Sequence, residues 1–356
     1  MVDRLGAYAR GVRSRRLPRL AALALAASAW ALLQLPASAD SAPPSASVTI
    51  AFAGDIALLG SPPSSLFSRV RGPLGQADVA IGNLEGTLST GGSSKCGAGS
   101  SSCYAFQAPP RSAGLLRGAG FDDLNVANNH AFDYGASGQR QTLSALTRYR
   151  LRWSGRPAQI TVLQSHGLRL AVLGFAPYPW AQSLLNVPAA QKLVQLAAAQ
   201  ADLVVAVLHA GAEGTDRQHV PRGTEYYLGE NRGNERVFSH ALVAAGADLV
   251  LASGPHVMRR LQLYHDKLIA YSLGNFAMCS KALSMGGALS QSGILSVTLG
   301  SDGTLVSGKL LPVQLVSGVP RRVRGGDIVH RMNALSHADF GGSAVLVSND
   351  GTLGLG

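Results

Sequence analysis

What most constrains this chain is a series of short runs that are apolar on both faces. They fall at residues 48–53, 79–82, 124–127, 170–174, 203–208, 249–252 and 268–272, and are rich in Val, Leu, Ile and Ala. A strand with one solvated face alternates apolar and polar residues, whereas a strand covered on both faces reads as a continuous apolar run. Helical stretches at 111–119, 137–149, 189–201 and 235–245 separate these runs, and two of them stop at Gly120 and Gly246. Alternating strands and helices predict a layered α/β domain. From Ser292 the pattern alternates and carries turns such as Ser301-Asp302-Gly303, which predicts antiparallel strands finishing the domain. No internal repeat is present and no boundary follows Ala46, so residues 47–356 read as one domain.

The N-terminus reads as a targeting segment. Residues 1–19 are Arg-rich, residues 20–35 (LAALALAASAWALLQL) form an apolar run, and Ala37-Ser38-Ala39 supplies small residues for cleavage. A basic start, a short apolar stretch and an A-x-A site are the marks of a secretory signal peptide over 1–39. Retention of the run as an N-terminal membrane anchor is the alternative, although it is short of the about 20 residues a span needs. A Ser/Pro/Ala-rich linker at 40–46 would follow. The expected location is therefore exported: extracellular or at the cell surface.

Charge and cysteines agree with export. The formal net charge is +11, and Arg4, Arg10, Arg13, Arg15, Arg16 and Arg19 against Asp3 place +5 of it in the first twenty residues, leaving +6 for the rest. No basic run interleaved with aromatics follows, so nucleic acid is not an expected partner. Cys96 and Cys103 bracket a Gly/Ser-rich loop, SSKCGAGSSSC. In an oxidising compartment they would close a small disulfide ring, leaving Cys279 as a buried thiol.

Polar residues gather directly after the apolar runs. The first run leads to Gly54-Asp55, the second to Asn83-Leu84-Glu85, and the third to Asn128-Asn129-His130 with Asp133 one turn on. The run at 203–208 leads to His209 and Glu213, and that at 249–252 to Pro255-His256. In an open α/β sheet the carboxyl ends of the strands share one edge, and ligand sites sit there. Taken singly, Asp55 could cap a helix, Asn83 and Glu85 could satisfy loop backbone, and His209 could be a core histidine. Their coincidence at successive strand ends predicts one shared site. Carboxylate, amide and imidazole ligands suit a divalent ion such as Mn, Zn or Fe. No thiolate is among them, and no G-x-S-x-G elbow marks a serine nucleophile.

At these same residues the chain resembles the poly-gamma-glutamate capsule synthesis proteins of the CapA type, within the calcineurin-like metallophosphatase superfamily. The matching stretches are AFAGDIALLG (51–60), ADVAIGNLEGTL (77–88), GFDDLNVANNHAFDYG (120–135), ADLVVAVLHAGAEG (201–214), AGADLVLASGPHVMRR (245–260) and LIAYSLGNF (268–276). The resemblance implies a four-layer α/β/β/α sandwich with two mixed sheets. It implies metal ligands at Asp55, at Glu85 or Asn83, and at Asn129, His209 and His256, holding one or two ions of Mn, Zn, Fe or Mg. It implies His130 as catalytic acid, aligned by Asp133. Two positions depart from the superfamily pattern: Ala57 stands where Asp-x-His has its histidine, and Gly254 where Gly-His-x-His has its first. Glu85 and Glu213 are the residues available as substitutes. The implied function is a metal-dependent hydrolase acting on a phosphoester or a gamma-glutamyl amide, alone or beside a membrane-bound polymer synthesis complex. The alternative is a non-catalytic surface component that binds an anionic polymer and assists its export or attachment.

Overall fold

In the computed structural model of the protein, the described residues are 46–97, 103–279 and 286–355. The Arg-rich start, the apolar run, Ala37-Ser38-Ala39 and the linker up to residue 45 lie outside them. Among the described residues no helix is long and apolar enough to cross a membrane.

The apolar runs form two mixed sheets. The first is ordered Val319–Arg322, Leu305–Val316, Gln291–Gly300, Ser47–Ala57, Val79–Leu84, Asp123–Asn125, Arg152–Ser154, with Asn275–Met278 also pairing with Ser47–Ala57. Its half from Ser47–Ala57 to Arg152–Ser154 is parallel, and its other half is antiparallel. The second is ordered Leu261–Tyr264, Lys267–Ala270, Leu249–Ser253, Leu203–His209, Leu168–Phe175, Thr161–Ser165, with a parallel centre and one antiparallel strand at each edge.

Side chains two apart share a strand face, and this assigns the layers. Val48, Ile50 and Phe52 point into a core between the sheets, meeting Leu170, Val172, Val205, Val207, Leu249 and Leu251. Their neighbours Ala51 and Ala53 face the other way, onto Leu74, Leu116 and Leu146 of the helices outside the first sheet. On the second sheet, Leu173, Val204, Ala206, Leu208 and Val250 meet Leu193, Val194, Phe238 and Leu242 of the helices Val187–Ala198 and Glu235–Ala244. Helix, sheet, sheet, helix is the four-layer order that the family resemblance implies. Both faces of each sheet are covered, which is why the strands lack polar alternation.

The tail differs from its expectation in one element. Its antiparallel strands form, but Gly326–Phe340 is a helix. It buries Ile328, Val329 and Met332 against the core between the sheets, and Phe340 against the outer core of the second sheet. The helical spacing of Ile328, Met332, Ser336 and Phe340 carried this signal, and the surrounding turns masked it.

Candidate metal and catalytic site

The carboxyl ends of the strands bring the site together. Asp55 lies near the end of Ser47–Ala57, Glu85 follows Val79–Leu84, His209 closes Leu203–His209, and His256 follows Leu249–Ser253. The backbones meet closely here. Asp55 N–H donates to Gly274 O at 3.0 Å, and a Cβ on Gly54 would lie 2.0 Å from that oxygen, so only glycine fits at 54.

Glu85 is the centre of the cluster. It is fully buried, and neither of its oxygens has a hydrogen-bond partner. Three imidazoles face Oε1: His256 Nε2 at 3.6 Å, His209 Nε2 at 3.8 Å and His130 Nε2 at 4.0 Å. His209 Nε2 and Asn129 Oδ1 are likewise buried without a hydrogen bond. An unsatisfied buried carboxylate is costly, and three imidazole nitrogens turned to one of its oxygens fit a cation between them. Asp55, Glu85 and His256 each offer an atom within 4.8 Å of one another, so a small inward shift of the side chains would bring all three to about 2 Å from one ion.

Asp55 is held by its neighbours. Oδ1 accepts from Asn83 Nδ2 at 2.8 Å, and Oδ2 lies 3.1 Å from His256 Nδ1 and accepts from Gly254 N–H at 3.3 Å. Burial alone would raise its pKa, but the hydrogen bonds and charges of His209 and His256 outweigh this and hold it well below the usual range. Glu85 goes the other way: burial raises it well above the ordinary value, against the opposing charge of His256. His256 is desolvated, yet the Glu85 charge and the hydrogen bonds to Asp55 and Glu213 raise its pKa well above normal. His209 is lowered by burial.

Of the two residues offered beside Glu85, Asn83 plays a different part. Its Nδ2 donates to Asp55 and lies 3.1 Å from His209 Nδ1, and its Oδ1 accepts from Asn125 at 2.8 Å and Asn128 at 3.2 Å. Both ends of the amide are used in bracing, whereas Glu85 has oxygens to give. Glu213 sits at the cleft side, with Oε2 3.4 Å from His256 Nε2 and Oε1 accepting from Arg232 at 2.9 Å and Asn129 at 3.3 Å. Burial raises its pKa, but the His256 hydrogen bond and the charges of His256, Arg232 and His209 together outweigh this and lower it to about 2.

His130 is anchored on the side away from the cluster. Its Nδ1 meets Asp133 Oδ2 at 2.7 Å, which leaves Nε2 turned to the cluster. Asp133 also accepts from Phe106 N–H at 2.6 Å and pairs with Lys95 Nζ at 2.7 Å. The Phe106 ring stacks on the imidazole at 4.1 Å between centroids. Burial lowers the pKa of His130, partly offset by Asp133.

A cleft of about 780 Å³ opens onto this cluster, lined by Lys95, Asn129, His130, Glu213, Arg232 and His256. Its walls are aromatic, with Tyr104, Phe106, Tyr178, Trp180 and Tyr227. Lys95, Phe106 and Arg232 carried no signal in the sequence. Asn128 and Asn275 lie inside stretches that resemble the family, but the resemblance implies no role for them. Lys95 is brought in by its neighbour: Cys96 is bridged to Cys103 with the Cα atoms 5.5 Å apart.

The two departures have distinct settings. Ala57 is completely buried in the core outside the first sheet. Gly254 has φ +119°, and a Cβ there would stand 2.6 Å from Ala210 O. This backbone excludes a histidine at 254.

Comparison with known proteins places the chain beside a bacterial family. The family described as "Bacterial capsule synthesis protein PGA_cap" matches residues 49–280. The chain is 33% identical over 181 residues to the "Capsule biosynthesis protein CapA" of Bacillus anthracis, covering 45% of this chain and 41% of that protein. It is 28% identical over 188 residues to the "PGA biosynthesis protein CapA" of Bacillus subtilis (strain 168), covering 48% and 46%. The matched stretch thus spans less than half the length of either relative. Among solved structures, a hypothetical protein from Thermus thermophilus is similar with a TM-score of 0.48 and 17% identity, over 75% of this chain and 100% of that one. A likeness at that level adds nothing to the fold described above.

Proposed function

We propose, from the fact that this chain belongs to the bacterial capsule synthesis protein family PGA_cap and from the geometry of its cleft, that it is an exported, metal-dependent hydrolase of anionic-polymer assembly. The substrate class is a phosphoester or a gamma-glutamyl amide, such as a poly-gamma-glutamate chain offers. The observation that carries this reading is Glu85, whose two buried oxygens have no hydrogen bond while three imidazole nitrogens face one of them.

Asp55, Glu85, His209 and His256 would hold the ion, with Asn129 Oδ1 and Glu213 beside them. A divalent ion supplies Lewis-acid polarisation of the scissile group and lowers the pKa of water toward about 7. The residues of the chain supply the rest. Asp133 fixes the imidazole of His130 through Nδ1 and favours its protonated form, so Nε2 of the imidazolium is the atom that would give the leaving group its proton, leaving the neutral ring with Nδ1–H on Asp133. The Phe106 ring covers one face of that imidazole and keeps water from it. Lys95 and Arg232 line the same cleft and favour an anionic substrate. Excluded backbone space at Gly254 supports a single ion rather than a histidine-rich pair.

The test is hydrolysis by the purified protein with Mn or Zn, against phosphoesters and gamma-glutamyl peptides. His130→Ala should retain metal and lose about 10²–10⁴-fold in turnover, the scale of a general acid. Asp55→Ala should lose both metal and turnover. Wild-type protein that turns over neither substrate class with any of these ions, yet binds polyglutamate in a salt-sensitive way, would support the non-catalytic polymer-binding reading instead.

A further inference from the structure

We infer that Asn275 is a positioning residue that sets the metal-facing orientation of His256, and that this is the part played by the Gly274-Asn275 pair of the YSLGNF stretch. The inference rests on the reading of the cleft as a metal site and assigns a role that none of its ligands has.

His256 is a non-glycine residue with φ +61°. Few residues adopt this left-handed conformation unless their surroundings impose it. The turn is what allows His256 to reach Asp55 through Nδ1 at 3.1 Å and to turn Nε2 toward Glu85 at 3.6 Å and Glu213 at 3.4 Å. Asn275 holds that turn. Its Nδ2 donates to His256 O at 3.2 Å and to Leu289 O at 3.0 Å. One amide nitrogen with two hydrogens therefore ties the His256 backbone to a segment of the cleft wall. Asn275 is buried, and it is the register partner of Asp55 in the parallel pairing of Asn275–Met278 with Ser47–Ala57. The tie is thus built from the same backbone that carries the opposing ligand.

The chemistry selects asparagine. A carboxylate of the same shape would set negative charge against two carbonyl oxygens, and alanine would take the Nδ2 donor away from both. Groups that orient ligands typically govern metal affinity by about 10–100-fold.

Mn²⁺ binding by calorimetry, on wild type, Asn275→Ala and Asn275→Asp, tests this. Both variants should bind Mn²⁺ about 10–100-fold more weakly. Ser292→Ala is the control for damage to the same segment, since Ser292 Oγ donates to Leu273 O at 2.8 Å in an equally buried place without touching His256. It should lower thermal stability and leave Mn²⁺ affinity as in wild type. Wild-type affinity in a folded Asn275→Ala, or an equal loss in Ser292→Ala, would overturn the inference. Should Asn275→Ala not fold, Asn275→Asp, which conserves volume, decides it. Wild type that binds no Mn²⁺ would sink the metal reading alone. The positioning role is then decided by a crystal structure of Asn275→Asp: His256 relaxed from positive φ and away from Asp55 supports it, and an unchanged His256 overturns it.

Discussion

His256 Nδ1 lies 3.1 Å from Asp55 Oδ2, although 201 positions separate the two residues. The contact joins the two sheets at their common edge, because Asp55 belongs to the first and His256 follows a strand of the second. Closing the sandwich therefore assembles the site, and the energy that folds the chain also holds unsatisfied polar atoms together.

Glu85 should show that tension most directly. Its carboxyl group is buried without a hydrogen bond and burial holds its pKa well above the ordinary range, so an amide there removes the cost of ionising it while removing a ligand. Glu85→Gln should raise the melting temperature of the metal-free protein and abolish or strongly weaken Mn²⁺ binding. A scan with chelator and a scan with Mn²⁺ check both halves. A variant less stable than wild type in chelator would contradict the strain assigned to Glu85.

Metal affinity should rise with pH. Burial keeps a proton on Glu85 above its ordinary range, and the surrounding carboxylates do the same for His256. An incoming ion displaces those protons, so acid competes with it and alkali favours it. Calorimetry in two buffers of different ionisation enthalpy should detect proton release on binding. Affinity that is flat between pH 6 and about 8 would count against these protonation states.

Gly254 should resist conversion to histidine. Its φ of +119° and the 2.6 Å approach of a Cβ to Ala210 O leave no room for a side chain. Gly254→His should lower stability by at least about 1–3 kcal/mol, the cost of a strained backbone position, and should not increase the number of ions bound. Metal analysis showing an extra bound ion in a stable variant would refute this.

Asp123 should impose a pH dependence on stability away from the site. Burial raises its carboxyl from 3.8 to about 7, against the lowering effect of the Ser154 hydrogen bond. The folded protein therefore keeps a proton that the unfolded chain has lost between about pH 4 and 7, and linkage makes stability fall as pH rises through that window. Below it the contribution is complete. Urea midpoints measured from pH 5 to about 8 should decline in wild type and decline less in Asp123→Asn. Parallel curves for the two proteins would remove Asp123 as the cause.

Much of this was legible in the linear chain, and for a definite reason. Strands buried on both faces must be apolar throughout, so 48–53 and 203–208 announce themselves, and their polar successors Asp55 and His209 stand out against them. The helix Gly326–Phe340 was not legible, because turns and short strands surround its apolar spacing. Composition and motif alone could nominate Asn83 and Glu85 together. Only packing separated them, since hydrogen bonds from Asn125 and Asn128 occupy the Asn83 carbonyl while Glu85 is left without any. Lys95, Phe106 and Arg232 reach the cleft from loops and a short hairpin, where no periodicity ties residue type to place. The sequence by itself thus determined that the chain is a layered α/β domain and which strand ends carry the candidate site, because burial dictates hydrophobic pattern residue by residue. Tertiary structure decided which polar atoms remain unpaired, which backbone has room for a side chain at 254, and how Asn275 turns His256. Those depend on distances between segments far apart in the chain, and no local pattern encodes them.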